Sequence, residues 1–390
     1  MCADLLLLGG GHAHLPLIQV ISSITERGHR VTCVSPSPVH YYSGMGPGML
    51  GGFYEPAEIR FPIEEMVVRS GGEFVVDRAV RIDAKERRVA LAGGDMRSYD
   101  VLSVNTGSTI ARTVRQRSDA AGPALFRPKP LEELVQARDT LRTVLAERAT
   151  RIAVVGGGPA AIEIAGNVRR LACSIRAADS RVELLAGRGV LPGFSRRASR
   201  IAVRALERAG VAVRRESRVE ASDGTGLVVN GASEHYDFAI LATGITPSRL
   251  FVDSDLPVGP DGSLAVDDYL HALGYPNIYG GGDCIWFTPH PLARAGVFAV
   301  REGPVLVHNV MASLDSAPSR RLVTFRRSGA YMLLMNLGDG TALFWRRILG
   351  LPVVVRGKLV FTLKDRIDRS FMERFGSEAG RTNGQSREGT

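Results

Sequence analysis

Leu5 to Leu8 form an unbroken apolar run that ends on glycines. A short run without alternation, closed by turn residues, reads as a strand buried on both faces. Gly9-Gly10-Gly11-His12-Ala13-His14 follows, then a stretch with helical apolar spacing from Leu15 to Ile24, then a second strand from Arg30 to Val34. The same order of strand, glycine turn and helix returns 147 residues later (156 − 9). There Arg151–Val155 is the strand, Gly156-Gly157-Gly158-Pro159-Ala160-Ala161-Ile162-Glu163 the turn, Pro159–Leu171 the helix and Arg181–Leu185 the next strand.

Two other segments echo each other. Tyr99-Asp100 leads through a strand to Thr106-Gly107, and Tyr236-Asp237 leads through a strand to Thr243-Gly244. A further strand, Pro276 to Tyr279, ends in Gly280-Gly281-Gly282-Asp283-Cys284. Near the C-terminus, Leu363, Ile367, Phe371 and Phe375 recur every four residues among Lys364, Arg366, Arg369 and Arg374, the pattern of a basic amphipathic helix. The residues after it are polar and glycine-rich, and 377–390 are expected to be a disordered tail.

Composition narrows the class. A chain of 390 residues holds two to three domains, and 45% hydrophobic with 23% charged residues is the balance of a globular protein. The charge of +9 comes from 45 Arg and only four Lys, namely Lys85, Lys129, Lys358 and Lys364. The arginines are scattered and aromatics make up 6%, so no nucleic-acid partner is expected. Cys2, Cys33, Cys173 and Cys284 form no CxxC pair and no ligand spacing, as in a reducing cytoplasm, and His12 and His14 stand two apart, a poor metal pair; no metal is expected. No apolar run approaches the roughly 20 residues of a membrane-crossing helix, and the N-terminus lacks the basic lead of a signal peptide.

A glycine turn at a helix start lets backbone N–H groups approach a pyrophosphate, so each unit is a candidate dinucleotide site. Gly156-x-Gly158-x-x-Ala161 fits that fingerprint well. Gly9-x-Gly11 fits less well, because His14 holds the third position and Ser35 stands where an acidic residue would hold the ribose. The second unit also lacks that acid, while Arg188 is placed to pair with a 2′-phosphate, which keeps NADPH open beside NADH.

In this order the five elements resemble the FAD-dependent pyridine nucleotide-disulfide oxidoreductase superfamily, and within it the branch of type II NADH dehydrogenases and sulfide:quinone oxidoreductases. Gly9 to His14, Tyr42 to Gly48 and Ala295 to Pro304 look like a subgroup in which some members are fused to selenide, water dikinase. The resemblance implies FAD at Gly9 and Gly11, with His12 or His14 near its phosphates or ribityl chain, Ser35 at the ribose end, and Thr106, Gly107, Thr243, Gly244 and Gly282 along the path. It implies Asp283 on the ribityl chain, and a helix begun by Gly296 and Val297 facing the flavin. A second nucleotide would lie over Gly156, Gly158 and Arg188, with Glu163 near the nicotinamide. The absent CxxC rules out a dithiol relay.

The expected architecture is therefore α/β, with two Rossmann-like dinucleotide-binding domains. A discontinuous FAD domain takes 1–112 and 232–315, an NAD(P) domain 113–231, and a small C-terminal domain 316–376. The expected activity is that of an FAD-dependent oxidoreductase passing electrons from NAD(P)H through FAD to a quinone-type acceptor. The quinone would enter by a pocket lined from Tyr41 to Phe53 and Ala295 to Val300, with Met45, Met49 and Phe53 as soft apolar walls. Glu163, Lys129 and Cys284 are the candidate catalytic residues. The alternatives are a flavoenzyme oxidising a sulfur or selenium species, with Cys284 or Cys173 as carrier, and a non-catalytic flavin- or nucleotide-binding module. The C-terminal helix is suited either to the inner face of a bacterial membrane or to docking on its own domain, and a homodimer is compatible with the chain.

Overall fold

The computed structural model describes residues 2–111, 113–116, 123–175, 179–315, 321–326 and 332–376. Asp4–Leu8 lies inside an eight-stranded sheet, between Val101–Val104 and Arg30–Ser35, and pairs in parallel with both. Glu73–Val76 closes one side, while Tyr275–Gly280 lies beyond Val101–Val104 and leads into three short edge strands. The side chains of Leu5 to Leu8 are shut from solvent, as the unalternating run requires.

The second unit repeats this arrangement. Arg151–Val155 lies between Phe238–Leu241 and Arg181–Ala186 in a five-stranded parallel sheet completed by Ala124–Phe126 and Val211–Arg215. The echo of the two Tyr-Asp segments now has a cause. Asp4 donates its N–H to Asp100 Oδ2 at 2.8 Å, and Arg151 donates its N–H to Asp237 Oδ2 at 2.7 Å, so each aspartate fixes the start of its glycine-loop strand.

That pairing corrects a domain boundary. Phe238–Leu241 is a central strand of the second sheet, and Ala232–His235 pairs with Gly226–Val229 beside it, so the chain returns to the first domain only after Gly244 and not at 232. The crossing is a two-stranded ribbon in which Thr109–Ile110 runs antiparallel to Ile245–Thr246.

The C-terminal part contains an antiparallel sheet of Leu333–Asn336, Ala342–Ile348 and Leu351–Gly357, followed by the helix Lys358–Gly376. It packs on both domains. Leu337 and Gly338 press on Gly166 of the helix Pro159–Ser174, where a Cβ would stand 2.1 Å from the Leu337 carbonyl oxygen. The first half of the C-terminal helix is inverted: Lys364 and Asp368 are buried, while Leu359, Leu363 and Ile367 are exposed. A four-residue step overshoots a full turn by about 40°, so the predicted row at 363, 367, 371 and 375 winds from the outer surface to Phe375 in the core. The expected tail 377–390 lies outside the described residues.

Candidate functional site

The two glycine loops are shaped by the strand beside them. Gly9 has φ +87 and a Cβ there would sit 2.4 Å from the Asn105 carbonyl oxygen; Gly156 has φ +139 and would meet the Ala242 carbonyl oxygen at 2.2 Å. Both glycines are demanded by the protein itself. Gly158 is different. Its φ of −79 suits any residue, nothing lies within 4 Å of its missing side chain, and it starts a 16-residue helix that no side chain caps. Gly296 repeats the situation at the uncapped start of the 19-residue helix Gly296–Leu314, with Val297 next to it partly open. A glycine that its own chain does not need, at a bare helix start, fits a phosphate-bearing or anionic group laid against the backbone. The residues present therefore fit two dinucleotides.

Between the loops lies a polar cluster. Lys129 Nζ is 2.5 Å from Asp283 Oδ2 and 3.0 Å from Ser108 Oγ, and Ser108 donates to the same carboxylate oxygen at 2.9 Å. Arg294 Nε donates to the Asp283 carbonyl at 3.0 Å. Two predicted residues 154 positions apart, Lys129 and Asp283, are thus brought together at Ser108, in the loop after Val101–Val104 that also carries Thr106 and Gly107. Thr243 and Gly244 hold the corresponding corner of the second domain: Thr243 Oγ1 donates to the Ala111 carbonyl and Gly244 accepts from Ala111 N–H.

The histidines divide. His14 is fully buried, with Nδ1 2.6 Å from the Gly9 carbonyl and Nε2 2.9 Å from Ser103 Oγ, so it ties the loop to the strand. The expectation of a cofactor contact there is corrected. Burial also lowers its pKa to about 4. His12 Nδ1 lies 3.1 Å from His40 Nε2, and its ring is stacked on Phe371 at 5.7 Å. Burial and then the nearby Lys129 ammonium hold His12 at about 4, so His12 and Lys129 share one surrounding.

Cys284 does not suit nucleophilic work. It is fully buried, its Sγ lies 3.3 Å from the Gly281 carbonyl, and burial pushes the thiol up to about 11. Cys173 is exposed on the Pro159–Ser174 helix, on the second domain. Ser35 ends its strand, mostly buried, and Arg188 stands exposed just after Arg181–Ala186.

Glu163 faces the C-terminal domain. Asn336 donates its N–H to Glu163 Oε1 at 2.8 Å, and burial raises the carboxyl to about 7 against the pull of Lys364. Lys364 Nζ in turn lies 2.6 Å from Asp368 Oδ2 and 2.7 Å from the Gly44 carbonyl, and Tyr42 donates to Asp368 Oδ1 at 3.1 Å. Met45 and Met49 are fully buried against Leu134 and its neighbours, so they belong to the core and not to a substrate wall. Phe53, with Arg170 over its ring at 3.9 Å and Phe361 at 4.9 Å, remains partly open.

Three contributors were not assigned from the sequence. Asn105 accepts the Ala13 N–H at Oδ1 and donates from Nδ2 to the Gly281 carbonyl at 2.6 Å, stitching the first glycine loop to the Gly281–Asp283 turn. Glu302 accepts the Gly282 N–H at 2.6 Å from inside the core. Tyr42 with Asp368 is the third. A carboxylate in the apolar run Val297 to Leu306 was the available signal for Glu302.

Comparison with known proteins adds the lineage. Residues 3–313 match the family described as pyridine nucleotide-disulphide oxidoreductase. A type II NADH:quinone oxidoreductase of Staphylococcus saprophyticus is 24% identical over 386 residues, covering 92% of this chain and 94% of that protein. The mitochondrial internal alternative NAD(P)H-ubiquinone oxidoreductase A1 of Arabidopsis thaliana is 27% identical over 179 residues, and the match spans 35% of its length. The solved structure of NDH2 from Plasmodium falciparum in complex with NADH superposes with a TM-score of 0.79 at 13% identity, covering 98% of this chain and 99% of that one, a likeness of fold.

Proposed function

The chain belongs to the pyridine nucleotide-disulphide oxidoreductase family, and on that premise we propose that it oxidises NAD(P)H and passes the electrons through FAD to a quinone-type acceptor. The observation that carries this reading is the pair of bare helix starts at Gly158 and Gly296, each opening on a glycine that its own fold does not require. Two dinucleotide seats in one chain are what a hydride relay needs.

The residues take separate tasks. Gly158 and the Pro159–Ser174 helix would hold the nicotinamide nucleotide's phosphates, with Arg188 free to pair with a 2′-phosphate. Gly9, Gly11, Gly107 and Gly282 would lie along FAD. Asp283, already oriented by Lys129 and Ser108, supplies an acceptor for the ribityl hydroxyls. When bound, FAD supplies the hydride-accepting and electron-passing chemistry. The Gly296–Leu314 helix directs its positive end toward negative charge at that seat. Glu163, Lys364, Asp368 and Tyr42 form a polar contact between the second domain, the C-terminal helix and the Tyr41–Phe53 segment, a place from which a proton can be given to a reduced acceptor. Cys284, with a neutral thiol and no opening, lends no support to a cysteine-borne sulfur relay.

We also propose peripheral contact with a membrane, where a quinone would be met. No helix among the described residues is long and apolar enough to cross one. Leu359, Leu363 and Ile367 on the first half of the C-terminal helix face outward, and the adjoining hairpin tip exposes Ile348, Leu349 and Leu351 beside Arg346 and Arg347. The test is NAD(P)H oxidation by FAD-loaded protein with a soluble quinone, together with sedimentation on anionic vesicles. Turnover that depends on the quinone supports the reading; nucleotide oxidation that ignores the quinone, with no vesicle binding, sinks it.

A further inference from the structure

Among the described residues, Glu302 is the one buried carboxyl against the Gly281–Asp283 turn that the proposed function leaves without a task. It projects from the second turn of the Gly296–Leu314 helix, is 1% exposed, and takes the Gly282 N–H at 2.6 Å. A Cβ on Gly281 would lie 3.4 Å from the same carboxyl oxygen, and the next residue, Gly303, is pressed on Pro16 and Ala13. The carboxyl therefore sits in a sealed slot between the first helix and the turn, one residue from Asp283.

We propose that Glu302 is a positioning residue for FAD, holding the Gly281–Asp283 turn as a neutral carboxylic acid and weakening the hold on the cofactor when it ionises. The neutral form is favoured by two features of the slot: burial disfavours a charge, and the Asp283 carboxylate repels a second one. Together they raise the group to about 8, although the Gly282 N–H works the other way. The surrounding groups do not offset an ionised Glu302. Lys129 is engaged with Asp283, and Arg294 donates to the Asp283 carbonyl and to Asp261. Arg301, beside it on the helix, is exposed, and the first glycine loop and the helix after it offer Ala13 and Pro16. The buried neighbours His14 and Cys284 are neutral between about pH 5 and 10, their own groups lying at about 4 and about 11.

The sign follows. Losing the proton places a second negative charge beside Asp283, against a cofactor that carries a diphosphate and gains negative charge on reduction. Affinity for FAD and the flavin's midpoint potential should both fall as pH rises through about 8. Glutamine in place of glutamate keeps the carbonyl that takes the Gly282 N–H and removes the proton.

The inference rests on FAD occupying this turn, and one titration separates the two claims. FAD binding to stripped full-length protein is followed by flavin fluorescence at pH 6.5 and 9.5 for wild type, Glu302→Gln and Glu302→Ala, with dye-equilibrated midpoint potentials of the loaded forms. Wild type should bind at pH 6.5 and lose affinity on the order of tenfold at pH 9.5. Glu302→Gln should bind equally at both and show a shallower fall of potential with pH; Glu302→Ala should be weaker at both. A Glu302→Gln protein with the wild-type pH dependence overturns the role of Glu302 while leaving FAD in place. A wild type that binds no FAD at either pH overturns the seat, and this inference with it.

Discussion

Lys129 Nζ and Asp283 Oδ2 lie 2.5 Å apart, one between the strand Ala124–Phe126 and the helix Leu131–Glu147 of the second domain and the other in the turn after the strand Tyr275–Gly280 of the first. Ser108 Oγ completes the triangle. The aspartate is aimed before any cofactor arrives, so the cost of orienting it is not charged to binding. Replacing Asp283 by Ala should lower FAD affinity by roughly 10- to 150-fold, the value of one charge-assisted hydrogen bond of about 1.5–3 kcal/mol, measured by flavin fluorescence on refilled apoprotein. Unchanged affinity would remove Asp283 from the site.

The second glycine loop provides a paired test. Gly158→Val should leave folding and FAD content intact, because φ there is −79 and the space is open, yet block reduction by NAD(P)H. Gly156→Ala should instead destabilise the fold by several kcal/mol, since its Cβ meets the Ala242 oxygen at 2.2 Å. Melting temperature and nucleotide-driven flavin reduction, read on both variants, distinguish a ligand-facing glycine from a packing one.

Much of this was legible in the sequence, for physical reasons that apply residue by residue. Leu5–Leu8, the doubled glycine turns and the paired Tyr-Asp strands are local patterns, and a parallel sheet with buried faces leaves few other ways to satisfy them. The seat of Phe238–Leu241 was not legible, since one strand can pair with either sheet until its register with Ile152–Val155 is known. Nor was the inverted C-terminal helix: the spacing shows a stripe, but only the Lys364–Asp368 pair and Tyr42 across from it show which side faces inward. Asn105 and Glu302 act through backbone partners far away in sequence, and no motif announces such contacts. Lys129 and Lys364 could be singled out by rarity alone; the structure places both ammonium groups against a carboxylate.

Glu163 should make stability depend on pH in a defined direction. Its carboxyl is raised from 4.5 to about 7 in the folded protein, so the fold binds a proton that the unfolded chain releases, and stability falls as pH rises from about 4.5 to 7. Glu163→Gln should flatten this segment of the melting-temperature profile. A wild-type profile indistinguishable from the variant's would show that the group is not held neutral.

Cysteine reactivity should follow burial. Cys284, buried and raised to about 11, should resist alkylation in the folded protein while Cys2 and Cys173, both exposed, are labelled; mass spectrometry of peptides reads this directly. The Cys173→Ser, Cys284→Ser double variant should keep near-normal turnover with NAD(P)H and a soluble quinone. Loss of turnover with flavin and melting temperature unchanged would put the sulfur chemistry ahead of the quinone reading.

Arg188 is exposed just past the strand Arg181–Ala186, where the proposed nucleotide seat would bring the adenosine ribose. Arg188→Ala should raise KM for NADPH more than for NADH. Equal changes would remove any role in recognising a 2′-phosphate.

The central claim is a hydride relay between two dinucleotides held by one chain. Anaerobic stopped-flow mixing of the FAD-loaded protein with NADH or NADPH tests it most directly: the flavin's visible absorbance should bleach rapidly with at least one nucleotide and return when a soluble quinone is added. A fully loaded flavin that stays oxidised in the presence of both nucleotides would contradict the account.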